Sequence, residues 1–235
     1  MSNLLVSVII IVKNGERFLA SAIDSVLKQD YRPLEIIVVD GHSTDKTPEI
    51  ARSYPDVRYI QQQKTGVSDA YNLGIDCAKG TLLAFLSHDD FWTPEKLTLQ
   101  VGYLIEHPEV QYTIAKFIYF LEPGSVSPAG FRKELLKGEH VGRIMGTLVS
   151  RKSGFEKVGM LNTTLSTAED VDWFSRANDQ QVTMALIPKV LMHKRVHCRN
   201  ISQNVNENNR NLLKTLRKSV HRKKADTISN EKKLQ

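Results

Sequence analysis

Short apolar runs that alternate with amphipathic segments constrain the fold of this chain more than any other feature. Residues 6–12, 35–40, 57–60 and 81–86 predict strands because they are rich in Val, Ile and Leu. Residues 17–28 and 68–79 predict helices between them, and Gly80 is the expected C-cap of the second helix. Strands that alternate with helices are typical of parallel sheets. We therefore predict an α/β fold with a mostly parallel central sheet flanked by helices.

The second half of the chain continues the alternation less regularly. Helices are predicted over 94–107, 152–158, 169–177 and 205–218, strands over 110–120, 183–187 and 190–196, and a loop over 121–130. We expect two parts: a folded domain over residues 1–203, and a C-terminal helix with a basic, flexible tail over residues 204–235. The charged tail is expected to start at about Ser219.

The charge of +6 belongs to this C-terminal part. Residues 204–235 hold nine Lys and Arg and three Asp and Glu, so the rest of the chain, with 23 of each sign, is neutral. A neutral body argues against nucleic acid as a partner, because nucleic-acid binding needs a basic face on the folded domain. The basic tail suggests peripheral contact with a membrane instead.

Hydrophobic content and cysteine count exclude several further classes of protein. A hydrophobic fraction of 41% is enough for a sizeable core and excludes a disordered chain. No apolar run is long enough to cross a bilayer, and the first residues lack a secretory signal pattern. Two cysteines cannot form a disulfide framework or a four-ligand zinc site. We expect a cytoplasmic protein, peripheral at the inner face of the membrane if the tail binds there.

Polar residues follow the first, second and fourth predicted strands. Asn14 follows the first strand, Asp40 closes the second, and residues 87–90, Ser-His-Asp-Asp, close the fourth. Ligands of parallel α/β sheets bind at the carboxyl ends of the strands. Asp40 can therefore bind a base or ribose, or it can only cap a turn. The pair Asp89 and Asp90 favours Mg²⁺ or Mn²⁺, because these cations prefer oxygen ligands.

Two further polar clusters lie near the end of the predicted domain. Glu169, Asp170 and Asp172 open a predicted helix, whose N-terminus is expected to favour ionised Asp170, although an acidic first turn is also common in helices that have no catalytic role. His193, Arg195 and His197 alternate along a strand and so share one face, which could bind a metal or a diphosphate or could simply face solvent.

These segments together resemble family 2 glycosyltransferases of the GT-A fold. The resemblance rests on the segments 6–10, 25–29 and 35–45 with Asn14, on 66–74, on Phe-Leu-Ser-His-Asp-Asp at 85–90, on Ala-Glu-Asp-Val-Asp-Trp-Phe at 168–174, and on Arg-Val-His at 195–197 with Asn200 and Ser202. It implies transfer of a sugar from a UDP-, GDP- or dTDP-sugar to a hydroxyl on a glycan, a lipid-linked or another acceptor, with inversion and with Mg²⁺ or Mn²⁺.

The resemblance also implies roles for individual residues. Asp170 is implied as the catalytic base, with Glu169 as the alternative, and Asp89 and His197 are implied as metal ligands. The residues implied in nucleotide-sugar binding are Val12, Asn14, Asp40, Asp69, Asn72, His88, Asp89, Arg195 and His197. The family usually has Asp where this chain has Ser87. That replacement supports an alternative function, a catalytically inactive module that binds sugar nucleotides or glycans.

Other nucleotide-binding classes are disfavoured by the residues after the first strand. Lys-Asn-Gly-Glu at 13–16 lacks the glycine pattern of a dinucleotide-binding fold. The Gly-Lys-Ser/Thr end of a P-loop is also missing from the sequence.

Overall fold

The computed structural model describes residues 4–198, 209–220 and 222. Within these ranges the chain forms one nine-stranded sheet with helices on both of its faces. Strands from residues 6–87 form one side of the sheet and strands from residues 91–195 form the other, and the two sides differ in strand direction.

The first half of the sheet is parallel, as predicted. Its strands are β1 (Val6–Val12), β2 (Leu34–Asp40), β3 (Val57–Gln61) and β4 (Leu82–Ser87), in the order β3-β2-β1-β4. The connecting helices are α1 (Leu19–Leu27), α2 (Thr47–Arg52) and α3 (Val67–Cys77). All three strand pairs are parallel, so β1, β2 and β4 end at the same edge of the sheet.

The second half of the sheet is mixed. It contains β5 (Phe91–Trp92), β6 (Tyr112–Phe120), β7 (His140–Val141), β8 (Val149–Arg151) and β9 (Met184–Arg195). The short β8 joins β4 and β6 by antiparallel pairing, while β9 is parallel to β6 and antiparallel to β5. The helices are α4 (Lys96–Glu106), α5 (Lys152–Val158) and α6 (Glu169–Asp179), and Lys133–Leu136 and Met145–Thr147 form 3₁₀ turns.

Side-chain alternation along β1 divides the core between the two faces of the sheet. Val8 and Ile10 pack on the face covered by α1, α2 and α4. Ile9 packs on the opposite face, which is covered by α3, α5 and α6. Because β1 is buried on both faces, all of its residues except Ser7 are apolar, which is why the run was recognisable as a central strand.

One predicted pair of strands is a single strand. Residues 183–187 and 190–196 were expected to be separate, but β9 is continuous and carries a bulge. Ile187 pairs with Ala115 and Val190 pairs with Lys116, so two residues of β9 are left out of the ladder. The first of them is Pro188, which has no backbone N–H to donate to the ladder, and this is the physical reason for the bulge.

The predicted C-cap role of Gly80 is wrong. The helix before it ends at Cys77 and is capped by Ala78, whose backbone is extended, and Gly80 donates its N–H to Ser7 Oγ at 2.8 Å. A Cβ at Gly80 would lie 2.6 Å from the backbone oxygen of Leu5 and 2.7 Å from Ser7 Oγ. The position needs glycine because another segment of backbone approaches it closely.

The chain forms a C-terminal helix over residues 209–220. The charged tail was expected to begin at Ser219, but Ser219 Oγ and Arg222 Nε contact the Asp179 carboxylate of α6 at 2.9 and 2.8 Å. Residues 223–235, which hold the rest of the predicted tail, lie outside the described residues. Within the described part of the chain, no helix has the combined length and apolar character needed to cross a bilayer.

Candidate active site

The site lies where β1, β2 and β4 end side by side. Val12 pairs with Asp40, and Ile11 pairs with Ser87. The polar residues that follow these strands are therefore neighbours in space although they are widely separated in sequence. The sequence analysis predicted this common edge from the parallel arrangement alone.

The loop after β1 is held against the loop after β2 by hydrogen bonds. Asn14 has a left-handed backbone, with φ of 51°, and its N–H donates to Ser43 Oγ at 2.8 Å. Its side-chain Oδ1 accepts from the Thr44 N–H at 2.9 Å. Gly15 donates its N–H to Thr47 Oγ1 at 2.8 Å. The two loops thus form one rigid wall at the edge of the sheet, with Val12 buried beneath it.

Asp40 is fully buried and accepts hydrogen bonds from the protein itself. Its Oδ1 accepts from the Ser43 N–H at 3.0 Å and from Ser43 Oγ at 2.5 Å, and its Oδ2 accepts from the Tyr59 hydroxyl at 2.7 Å. Burial and the Asp40 carboxylate raise the pKa of Tyr59 to about 12, so this hydroxyl remains a donor. In this arrangement Asp40 has the turn-capping role that the sequence left open.

Two residues predicted to bind the nucleotide lie on α3 in different settings. Asp69 is half-buried in the first turn of the helix, beside Gly66. Asn72 uses its amide to fasten α3 to the loop after α5: its Nδ2 donates to the Leu161 carbonyl at 2.9 Å, and its Oδ1 accepts from the Leu161 N–H at 2.9 Å. Both polar ends of Asn72 are therefore paired with backbone.

Asp89 and His197 meet although 108 positions separate them. The antiparallel pairing of β5 with β9 brings the residues before β5 next to the residues after β9. His197 Nε2 lies 3.0 Å from Asp89 Oδ2. Burial alone would raise the pKa of Asp89, but the hydrogen bond with His197 and the nearby His88 hold it well below its ordinary value. Asp89 is therefore an ionised carboxylate at the sheet edge.

His88 is the neighbour of Asp89, and its imidazole ring lies against Gly15 in the loop after β1. Burial lowers the pKa of His88, so its imidazole is neutral near pH 7. A Cβ at Gly15 would lie 2.5 Å from His88 Cδ2, so the loop reaches this position only because Gly15 has no side chain.

Asp90 is paired with the end of β9. Its Oδ1 accepts the Arg195 N–H at 2.9 Å, and its Oδ2 lies 3.4 Å from Lys194 Nζ. Burial raises the pKa of Asp90, against the lowering effect of Lys194. Burial alone would lower the pKa of Lys194, but the carboxylates of Asp90 and Asp89 raise it above its ordinary value. Lys194 is therefore a permanent cation inside the site.

Arg195 is buried among aromatic rings. Its guanidinium lies 4.5 Å from the ring centre of Phe18 and 4.7 Å from that of Phe120. Its Nε donates to the Asp89 carbonyl at 2.8 Å, and its Nη1 pairs with the Glu122 carboxylate. Arg195 was expected to contact a diphosphate. In this structure its described contacts include the Asp89 carbonyl and fasten the turn that follows β4.

Glu169 and Asp170 open α6 as neighbours; parts of both residues reach the surface, but their carboxyl groups are buried. Ala168 precedes them in a left-handed conformation, with φ of 62°. Burial and the charge of Asp170 raise the pKa of Glu169 to about 7. Burial also raises the pKa of Asp170, although its Oδ1 accepts the Val171 N–H at 2.7 Å. The helix N-terminus was expected to favour ionised Asp170; burial outweighs that effect.

Asp172 has a structural role. It is buried and forms an ion pair with Arg176 at 2.9 Å, one helical turn later. Arg176 also donates to the carbonyls of Val158 at 2.5 Å and Met160 at 2.8 Å, which fastens α6 to the loop after α5.

Two residues of the site escaped the sequence analysis. Lys194 pairs with Asp90, and its charge lowers the pKa values of Glu169 and Asp170 as well as that of Asp90. Tyr71 is buried, and the charges of Glu169 and Asp170 add to burial in raising its pKa. Lys194 stands directly before the Arg-Val-His segment, which was the available signal. Asn200 and Ser202 lie outside the described residues.

Asp89 and His197 fit a divalent metal that is completed by a ligand. They offer an ionised carboxylate oxygen and an imidazole nitrogen at one point of the sheet edge. Among the described residues, no group of three or more His, Cys, Asp and Glu side chains converges as a metal site. Mg²⁺ commonly binds one or two protein carboxylates and takes its other ligands from phosphate and water, so this donor set suits a metal bound together with a diphosphate.

The architecture matches that of nucleotide-sugar transferases. The mannosyltransferase PcManGT from Pyrobaculum calidifontis, solved with GDP-Man and Mn²⁺, has a TM-score of 0.72 and 20% identity, over 94% of this chain and 65% of that one. TarS from S. aureus, solved with UDP, has a TM-score of 0.68 and 21% identity, over 81% of this chain and 60% of that one. The chain therefore has the GT-A glycosyltransferase fold.

The sequence comparisons define the family. The model of glycosyl transferase family 2 matches residues 7–159, and the chain belongs to that family. An uncharacterized glycosyltransferase of Rickettsia bellii (strain RML369-C) is 36% identical over 185 residues, 72% of this chain and 27% of the relative. One of Rickettsia typhi (strain ATCC VR-144 / Wilmington) is 35% identical over 213 residues, 82% of this chain and 64% of the relative.

A relative with a named activity matches a shorter region. The Escherichia coli protein WfaP, a UDP-Glc:α-D-GlcNAc-diphosphoundecaprenol β-1,3-glucosyltransferase, is 35% identical over 103 residues, 43% of this chain and 41% of the relative. The chain spans less than two thirds of the length of each of these curated relatives.

Proposed function

We propose that this glycosyltransferase moves a sugar from a nucleoside-diphosphate sugar to an acceptor hydroxyl, with inversion at the anomeric carbon and with the help of Mg²⁺ or Mn²⁺. One observation carries the proposal. An ionised Asp89 in contact with His197 lies at the sheet edge, Lys194 pairs with the neighbouring Asp90, and the charge of Lys194 acts on the carboxyl groups of Glu169 and Asp170. A diphosphate site and a proton acceptor are therefore available in one place.

The donor nucleotide binds along the wall formed by the loops after β1 and β2. The contacts proposed for the donor are Asn14 on this wall, Val12 and Asp40 buried directly beneath it, and Asp69 in the first turn of α3. Asn72 lies one turn further along α3 with its amide paired with Leu161, and its part in donor binding stays a prediction. The named ligands of the structural neighbours, UDP and GDP-Man, support a nucleoside diphosphate as the leaving group.

Asp89 and His197 would hold the metal, with His88 beside them. When bound, the metal offsets the negative charge that collects on the departing diphosphate. Lys194 supplies a fixed positive charge beside the same carboxylates. Arg195 positions this cluster through its contacts with Asp89 and Glu122, so its effect on the diphosphate is indirect.

Asp170 takes the proton of the acceptor hydroxyl, and Glu169 is the alternative base. As the hydroxyl oxygen bonds to the anomeric carbon, its proton passes to the carboxylate, and the bond from that carbon to the diphosphate oxygen breaks. Efficient bases have pKa values near the working pH, and burial raises the pKa values of both groups in that direction.

The acceptor hydroxyl is proposed to belong to a lipid-linked sugar. The named acceptor of WfaP is a sugar on a lipid diphosphate, which supports a lipid-linked acceptor for this chain. A glycan or another hydroxyl compound is the alternative. Cytoplasmic location and membrane contact through the basic tail remain predictions.

A second function follows from Ser87. A hydroxyl is a poorer metal ligand than the carboxylate expected there, so the same site could bind a sugar nucleotide without transferring the sugar. Hydrolysis of the donor in the absence of acceptor discriminates the two functions, because a binding module leaves the nucleotide sugar intact.

The metal role is tested by calorimetry with UDP and GDP in Mn²⁺ and in EDTA. We expect the nucleotides to bind in Mn²⁺ and to bind more weakly in EDTA. Asp89→Ala should abolish the metal-dependent binding, and Ser87→Asp should raise the affinity for the metal. Glu156→Gln, an exposed change on α5, is the control that should bind as the parent does. Equal nucleotide affinity in Mn²⁺ and EDTA would refute the metal role.

The base is tested with two isosteric changes. We expect Asp170→Asn to keep nucleotide affinity and to lower transfer or donor hydrolysis by about 10²-fold or more, the usual size of general-base catalysis. If Asp170→Asn is active and Glu169→Gln is not, the base is Glu169. If both variants are as active as the parent, the two carboxyl groups are only structural.

A further inference from the structure

The C-terminal helix, residues 209–220, presents its polar side to the rest of the protein. Asn211 Nδ2 donates to Ser166 Oγ at 3.1 Å and to Thr167 Oγ1 at 3.0 Å. Thr215, one turn later, is buried. Ser219, after another turn, contacts the Asp179 carboxylate. Asn211 and Ser219 thus fasten this polar side to the domain by hydrogen bonds, whereas an ordinary amphipathic helix on a domain surface packs an apolar side inward.

Three of the four apolar side chains of this helix face solvent, and the fourth, Leu212, is half-buried. Leu213 and Leu216 are 56% and 57% exposed, and Val220 is 52% exposed. Their spacing of three and four residues places them on one line along the helix, which we call the apolar stripe. Of the seven large apolar side chains that are exposed in the described chain, three lie in these twelve residues. Exposed apolar side chains grouped in this way mark an interaction surface.

The stripe is bordered by positive charge only. Arg210, Lys214, Arg217 and Lys218 are exposed on the same side of the helix, and residues 209–220 contain no Asp or Glu. A second copy of the helix would bring the same four cations against these four, which disfavours pairing between copies. The complementary partner is an anionic surface that also accepts apolar side chains.

We propose that the apolar stripe and its four basic neighbours form a docking surface for the headgroup region of an anionic lipid bilayer. A helix with Leu on one face and Lys or Arg beside it binds in this region through apolar burial and electrostatic attraction together. Its polar inner side would keep the domain fastened to the helix while the stripe enters the interface. This surface is separate from the active site and does not depend on sugar transfer.

The test is sedimentation of the full chain with vesicles of phosphatidylcholine, alone or mixed equally with phosphatidylglycerol. We expect binding to the anionic vesicles that weakens as salt rises. Lys214→Gln/Arg217→Gln should weaken it roughly 25-fold, about fivefold for each charge. The control Lys133→Gln/Lys137→Gln removes two exposed charges from another part of the surface and should change binding much less.

A second pair of variants separates apolar docking from simple charge attraction. Leu213→Ser/Leu216→Ser keeps every charge and should weaken vesicle binding by at least about tenfold. Val126→Ser/Val141→Ser removes two side chains of 88% and 59% exposure elsewhere and should bind as the parent does.

Three results would overturn the proposal. The first is the absence of binding to anionic vesicles. The second is equal binding by the leucine variant and the parent, which would mean that the stripe does not enter the bilayer. The third is a dimer in sedimentation velocity that the leucine variant abolishes, which would assign the stripe to a second copy of the chain.

Discussion

Glu169 is expected to destabilise the folded protein at neutral and higher pH, and its removal measures how strongly. Its pKa rises from an ordinary value of 4.5 to about 7 because the carboxyl group is buried and lies beside Asp170. A pKa difference of about 2.5, at 1.36 kcal/mol for each pH unit, corresponds to about 3 kcal/mol. That amount is a sizeable part of the total stability of an ordinary domain.

The direction of the effect follows from where the proton is bound. Below pH 4.5 both folded and unfolded chains hold the proton, and Glu169 costs nothing. Between pH 4.5 and about 7 the unfolded chain releases the proton first, so the free energy of unfolding falls as pH rises. Above pH 7 the full cost is present. Glu169→Gln cannot ionise and should therefore be more stable than the parent at high pH.

The assay is urea unfolding of the parent and of Glu169→Gln at pH 5 and pH 8. We expect the variant to gain about 3 kcal/mol at pH 8 and less than about 1 kcal/mol at pH 5. The comparison between the two pH values cancels any constant effect of the amide. Glu156→Gln, on the exposed side of α5, is the control and should change stability equally at both pH values. An equal change for Glu169→Gln at both pH values would refute the reasoning.

Two further predictions concern the interior. Lys194→Met should lower the free energy of unfolding by about 3 kcal/mol because it leaves the buried Asp90 without its cation, whereas Lys189→Met, at an exposed pair on the same strand, should change it by less than about 1 kcal/mol. Equal losses in urea unfolding would contradict this. Gly80→Ala should lower the thermal midpoint, since its Cβ would meet a backbone oxygen at 2.6 Å, while Gly102→Ala, with open space inside α4, should raise it. A higher midpoint for Gly80→Ala would show that the backbone there can move.

The active site itself shows why part of this arrangement could be predicted. Asp40 and Asp89 follow apolar strands, and parallel strands end at a common edge, so their proximity follows from local pattern and topology. His197 joins Asp89 through the pairing of β5 with β9, and β5 has two residues. No local periodicity identifies so short a strand, and the Asp89–His197 contact was expected only through the resemblance to the family.

The sequence pattern did not predict properties that depend on the surroundings of a side chain, such as its pKa or its burial. The first turn of α6 was expected to favour ionised Asp170, but burial beside Glu169 has the larger effect on its pKa. Lys194 stands next to an Arg in the sequence, and only the packing of β9 against Asp90 makes it a buried cation.

The sequence by itself determined the class of the fold, the positions of the first four strands and the edge at which the polar residues collect. These features depend on spacing along the chain. Tertiary structure decided which partner each polar group has. Asn72 binds a backbone, Arg195 lies among aromatic rings, and the C-terminal helix faces the domain with its polar side. Periodicity shows that a helix has two faces, but only the hydrogen-bond partners on the neighbouring surface determine which face is buried.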